Sequence, residues 1–376
     1  MRITDSPNEI GLDVRVLERA WRLLEEATAA NRPRAAALGI ARGGVALAPR
    51  YFGRQGFAED AAPVSAETLF LVASITKPVT ATAVMRLVEQ GRIRLDDPVA
   101  EYVPAFGTQG KERVRVRHLL THTSGLPDML PDNVELRRAH APLSTFIERI
   151  CQLPLDFAPG TAIQYQSCGI AMLGEIVHRV SGIPLAEFLR REVFGPLGMS
   201  DTYLGIPEGS VDPDRGRVAE VRLPPAMEGS DWGWNSPYWH ALGAPWGGMI
   251  STVADMVRFG QCMLQGGELD GVRLLSRAAV DVMTRDQTGA MTDIPAALRC
   301  RQAWGLGWRL VPTHEARYFG DLLSPGSFGH GGATGTVMWV DPVSEMVCCL
   351  FTTEPLEESE RLLGQCSTVI AAAAVS

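Results

Sequence analysis

Lysine is nearly missing from this 376-residue chain: of its 35 cationic side chains, 33 are arginine, and only Lys77 and Lys111 are lysine. Long apolar runs are missing as well. No stretch approaches the roughly 18 apolar residues that a membrane-spanning helix needs, and the opening MRITDSPNEI has no apolar signal-peptide core. The seven cysteines are odd in number and form no C-x-x-C pair, which predicts buried free thiols in a reducing cytoplasm and no disulfide framework. Nor is there a basic excess. A net charge of −8 argues against the basic surface that nucleic acid or an anionic membrane would require. The densest basic cluster, VRVRH (Val114–His118), reads as a strand-like edge. These absences predict a soluble, acidic, cytoplasmic protein whose partner is a small molecule; they leave its oligomeric state open.

What is present reads as an ordinary globular chain, 46% hydrophobic and 21% charged. Val14, Leu17, Trp21, Leu24 and Ala27 recur at a helical period, and AAALGIARGGVALAPRYFG reads as two strands around an Arg42-Gly43-Gly44 turn. The middle of the chain carries amphipathic helical patterns such as LSTFIERICQL, GIAMLGEIVHRVSG, LAEFLRREVF and TVADMVRFGQCML. The last 80 or so residues return to strand-like segments, WGLGWRL, SFGHGG, TGTVMWVD and EMVCCLFTT, before a final helix. An α/β fold of the α+β type follows: an antiparallel sheet built from both chain ends and flanked by helices, with a mostly helical insert. The expected division is residues 1–80 with 291–376 for the sheet domain, 81–290 for the helical domain, and a site at their interface.

One of the two lysines stands in LVASITKPVT, three residues after Ser74, where an apolar stretch turns into a helix running to about Gln90. Residues i and i+3 share a helix face, so Ser74 and Lys77 can meet. A serine hydroxyl needs a neighbour to take its proton, and a partly desolvated lysine is such a neighbour. Near a helix start the Ser74 N–H is also free to point at a developing oxyanion. The bland reading is an N-capping serine followed by a surface lysine. Arginine does nearly all the surface cationic work in this chain, which weighs against it.

SITK is followed in order by LDDPV, HLLTHTSGLP, PGTAIQYQSCGIAMLGEIVHRVSG, GGMISTVADMVRFG and FGHGGATGTVMWVDP. This succession resembles the serine beta-lactamase and penicillin-binding-protein superfamily, and in particular its class C beta-lactamase-like branch with the family VIII carboxylesterases. The resemblance spans roughly residues 30 to 355. It implies Ser74 as nucleophile and Lys77 as its proton-handling partner. It maps the Tyr-x-Asn motif onto Tyr165-Gln166-Ser167, with Tyr165 as a base made phenolate-like by two adjacent cationic groups. The third motif maps onto His330-Gly331-Gly332. His330 would then tune the Tyr165/Lys77 cluster, the glycines would let substrate approach the strand edge, and the backbone N–H of Ala333 would join that of Ser74 as oxyanion donor.

Two departures from the beta-lactamase pattern bear on substrate. Ser167 stands in place of the motif asparagine, and Gly331 in place of the threonine of Lys-Thr-Gly, beside a mostly neutral His330; both weaken the grip on a beta-lactam. Carboxylic ester hydrolysis through an acyl-enzyme is the favoured activity. Acyl transfer, beta-lactam or D-amino-acid peptide cleavage, and a non-enzymatic scaffold or sensor are the alternatives. Trp232, Trp234, Trp239 and Trp246 crowd into a Gly/Pro-rich segment, and Trp232 and Trp246 are read as an apolar wall over an acyl pocket. His118 and His122 are four apart as in a zinc helix but lack the glutamate of H-E-x-x-H, so no metal or cofactor is expected.

Overall fold

The computed structural model describes residues 1–206, 215–311 and 316–375. Residues 207–214, part of the Gly/Pro/Trp-rich segment, lie outside the described residues.

Seven strands from the two ends of the chain share one sheet. They are β1 (Arg2–Thr4), β2 (Ala35–Arg42), β3 (Val45–Gly53), β4 (Arg309–Leu310), β5 (Phe328–Gly332), β6 (Thr336–Asp341) and β7 (Met346–Thr352). Their spatial order is β1-β3-β2-β7-β6-β5-β4. The central pairing joins the two ends: β7 runs antiparallel to β2, with Cys349 opposite Gly39. The pairs are antiparallel except β1 on β3, a short parallel edge that the sequence pattern does not reveal.

Alternation sorts the strand side chains into two cores. Val347, Cys349 and Phe351 of β7 join the large core toward the helical part, whereas Met346, Cys348 and Leu350 face the other way. That second face is covered by α1 (Val14–Ala29) and the last helix, α5 (Leu356–Ala372). They contribute Leu17, Ala20, Leu24, Leu363, Cys366 and Ile370. Between the sheet halves lie α2 (Thr76–Glu89), α3 (Ser167–Ser181) and α4 (Val253–Leu264), whose buried sides fill the large core. Among the described residues no helix is long and apolar enough to cross a membrane.

VRVRH is not a strand. Its second half opens a short helix, Val116–Leu120, because the His118 imidazole Nδ1 accepts the Arg115 N–H at 3.2 Å and so caps the turn. The WGLGWRL segment contributes only Arg309–Leu310 as strand, with Trp304 bridged to Arg309.

A second, three-stranded sheet positions the chemistry. Phe70–Leu71 pairs with Met249–Ser251, which in turn pairs with Tyr203–Leu204. It delivers the chain into a 3₁₀ turn at Ala73–Ile75, immediately ahead of α2.

Candidate active site

Ser74 sits in that turn, preceded by Ala73 at a φ of +46°, a left-handed conformation costly for a residue with a side chain. Surrounding hydrogen bonds hold it there. Thr76 Oγ1 donates to the Ala73 carbonyl at 2.6 Å and accepts the Met249 N–H at 3.1 Å. Two threonines complete the clamp, Thr334 in the turn between β5 and β6 and Thr336 at the start of β6: Thr334 Oγ1 donates to Leu71 O at 2.5 Å, and Thr336 Oγ1 to Val72 O at 3.0 Å. These ties bring the turn that carries Ala333 against the segment leading to Ser74.

One helical turn on, Lys77 Nζ lies 2.9 Å from Ser74 Oγ and donates to the Trp246 carbonyl at 2.8 Å. Its side chain is 1% exposed. Burial lowers the Lys77 ammonium to about 7, against an opposing attraction from the Asp128 carboxylate. Near neutral pH a large share of Lys77 is therefore the free amine, a base directly on the serine hydroxyl.

Tyr165 stands immediately before the N-cap of α3, and Lys77 Nζ lies 4.7 Å from the centre of its ring. The phenol interacts with the Ser74 side chain, but burial dominates and holds its pKa well above the ordinary value of a phenol. The expected phenolate is thus corrected. Lys77 meets the ring and is itself poised near neutrality, so the cationic field is too weak to offset desolvation. Tyr165 is a protonated phenol beside the serine, suited to passing a proton on rather than resting as an anion.

His330 lies on β5 with its ring 5.9 Å from that of Tyr165. Its Nδ1 is 2.7 Å from the Gly331 carbonyl and so must carry the proton, leaving Nε2 as a buried acceptor without a partner among the described residues. Burial and the nearby Lys77 keep it neutral, well below the usual histidine range. The four side chains read from the sequence thus converge.

The glycines after His330 serve a different purpose from the expected one. A Cβ on Gly331 would stand 2.7 Å from the Tyr318 ring, and one on Gly332 would stand 2.2 Å from Thr336 Oγ1 and 2.4 Å from Val72 O. Both positions are closed by the protein's own atoms. Packing, not room for substrate, demands glycine there.

Ser167 and Trp246 line one small, largely apolar niche with Met129, Leu130, Phe146 and Ile150. The Ser167 N–H donates to Asp128 Oδ1 at 2.8 Å. Trp232 does not line that niche. Its ring lies 5.1 Å from the Arg137 guanidinium, and its carbonyl accepts from Arg137 at 3.1 Å. Trp239 covers the same guanidinium at 4.1 Å, so this part of the tryptophan cluster is a clasp on a buried arginine.

Sequence reasoning passed over Trp304 and Asp128 and took His122 only as a landmark. Trp304 packs edge-on against His122 with ring centres 4.2 Å apart and stands 5.9 Å from Tyr165. Arg309 places its guanidinium 4.7 Å from the Trp304 ring centre. No spacing signal links the His122–Asp128 loop to Trp304 and Arg309, which reach the same region from a part of the chain about 180 residues away. His118 and His122 each use Nδ1 on a backbone N–H, of Arg115 and Gln166 respectively.

The Beta-lactamase family model matches residues 21–364. A Salmonella typhi protein provisionally named as a D-alanyl-D-alanine carboxypeptidase is 28% identical, over 94% of this chain and 86% of its own length. Among solved structures, EstCE1, described as a hydrolase with promiscuous acyltransferase activity, superposes with a TM-score of 0.78 at 22% identity, covering 95% of this chain and 99% of that one. A family VIII carboxylesterase superposes with a TM-score of 0.75 at 21% identity, with 95% and 99% covered. At such identities these two likenesses speak to fold. With the family match spanning most of the sequence, the chain belongs to the Beta-lactamase family, the serine hydrolases of beta-lactamase and penicillin-binding-protein fold.

Proposed function

We propose that this serine hydrolase cleaves carboxylic esters through an acyl-enzyme on Ser74. The observation that carries the reading is the buried Lys77 amine, 2.9 Å from Ser74 Oγ and lowered to about 7. As Oγ bonds to the ester carbonyl carbon, its proton passes to neutral Lys77 Nζ. The carbonyl π pair moves to oxygen, toward the backbone N–H groups of Ser74 and Ala333. Collapse of this intermediate breaks the bond to the alcohol oxygen. That oxygen takes a proton from Lys77 directly or through the Tyr165 hydroxyl, and water then repeats the sequence on the acyl-serine.

Two features favour esters over beta-lactams or peptides. His330 is neutral where a lysine would supply charge, and Ser167, buried in the niche with its N–H committed to Asp128, replaces the amide of the motif asparagine. An alcohol that intercepts the same acyl-enzyme gives acyl transfer, a branch of one mechanism. Six buried unpaired cysteines and an exposed Cys300 fit a reducing compartment, here the cytoplasm.

The test is turnover of short-chain p-nitrophenyl esters beside a chromogenic cephalosporin and a D-alanyl-D-alanine peptide, with and without added methanol. Ester hydrolysis that disappears in Ser74→Ala is the expected result. Peptide or cephalosporin turnover with none on esters would overturn the ester assignment, and methyl-ester formation outpacing hydrolysis would make the protein a transferase.

A further inference from the structure

One residue bonds the backbone on both sides of Tyr165, beside side-chain anchors of Gln164 on Asp156 and of Gln166 on Ser124 and the His118 carbonyl. The Gln164 N–H donates to the His122 backbone carbonyl at 2.9 Å, and the Gln166 N–H donates to His122 Nδ1 at 3.1 Å. Between those two anchors the Tyr165 ring lies against the His122 ring, with centres 4.8 Å apart and planes inclined by 35°. The imidazole is itself immobilised, since Trp304 meets it edge-on at 4.2 Å and it is fully buried. His122 also adopts a φ of +59°, a backbone conformation unfavourable for histidine and retained only where the surroundings over-determine it.

Its chemistry is equally constrained. Because Nδ1 accepts from Gln166, the proton of the neutral ring must sit on Nε2. That Nε2 is buried without a partner among the described residues, as are Trp304 Nε1 and His330 Nε2. Three polar ring atoms left unpaired around one phenol are expensive to bury. A tyrosine that merely filled core would not need them.

We propose that His122 is the positioning residue for Tyr165, setting the phenol against Ser74 and Lys77. The inference rests on the reading of Tyr165 as part of the Ser74 machinery. His122 makes no hydrogen bond to Ser74 among the described residues; it acts through the two peptide groups and the ring it holds. Displacing a reacting group by about 1 Å can cost about 10²-fold in rate.

The experiment measures the rate at which a fluorophosphonate labels Ser74 across pH 5 to 9, which needs no knowledge of the natural ester. The chains compared are wild type, H122A, H122N, Y165F and the double variants H122A/Y165F and H122N/Y165F. Asparagine tolerates the left-handed backbone and offers a side-chain oxygen to the Gln166 N–H. H122A is expected to lose about 10²-fold, with H122N recovering about tenfold of that. In the Y165F background either change is expected to cost little more, because the group being positioned has already gone. Losses that multiply in full with that of Y165F would overturn the proposal, as would wild-type labelling by a folded H122A. Should H122A not fold, H122N measured in both backgrounds decides the matter by the same criterion. Normal labelling without any ester turnover would remove the ester assignment and leave this comparison standing. A wild type that neither labels nor turns over esters removes both.

Discussion

Both lysines of this arginine-rich chain are buried, Lys77 on Ser74 and Lys111 on the Leu153 carbonyl. Rarity therefore marks interior use, and only the serine one turn earlier distinguishes the lysine proposed for chemistry from the other. An amine lowered to about 7 gives a definite pH response. Only free amine can accept the Ser74 proton, so kcat/KM on an ester is expected to fall about tenfold per pH unit below 7 and to level off above it. Lys77→Arg is expected to cost about 10² to 10⁴-fold at every pH, because a guanidinium does not deprotonate. Stability carries the same signature with a fixed sign. Between 7 and the unfolded value of 10.5 the unfolded chain binds the extra proton, so this residue's contribution to stability rises with pH across that window. Urea unfolding at pH 7 and pH 9 should accordingly show wild type gaining on Lys77→Met as pH increases.

Elements decide which tryptophans matter to substrate. Trp246 lines the niche and lends its carbonyl to Lys77, so Trp246→Ala is expected to shift preference toward longer acyl chains, measured as kcat/KM across a series of p-nitrophenyl esters. Trp232 instead covers Arg137, so Trp232→Ala is expected to lower stability by about 3 kcal/mol while leaving the ester preference in place. A thermal or urea melt beside the same ester series separates the two. Composition could not have made this distinction, because the four tryptophans share one Gly/Pro-rich stretch of sequence and are told apart by what they fold against. The same holds for VRVRH, whose alternation is strand-like until the His118 ring reaches back to cap a helix.

At the scale of the whole molecule, the candidate site is held together where the turn between β5 and β6 is tied to the segment leading into the Ser74 turn. Gly332 lies at that seam, where a Cβ would press within 2.4 Å of the Val72 carbonyl. Gly332→Ala is expected to push the Ala333 turn away from Ser74, lowering ester kcat by about 10 to 10³-fold, the range of a lost oxyanion donor, together with a reduced melting temperature. Unchanged kcat with a lowered Tm would show that the turn does not serve the oxyanion. Joining strands from the two ends of the chain in one sheet is what lets four side chains from distant stretches of sequence meet.

Sequence alone determined which groups could react. Periodicity gave most of the helices and strands, the order of short motifs gave the fold and the family, and the turn-by-turn spacing of Ser74 and Lys77 gave the pair proposed to react. Tertiary structure decided their state. Whether Lys77 is an amine, Tyr165 a phenol or His330 an acceptor depends on how much water each has lost and which charges surround it. Desolvation and Coulomb forces add up through space over neighbours such as Trp304 and the His122–Asp128 loop, whose separation from Lys77, Tyr165 and His330 along the chain carries no trace of their proximity.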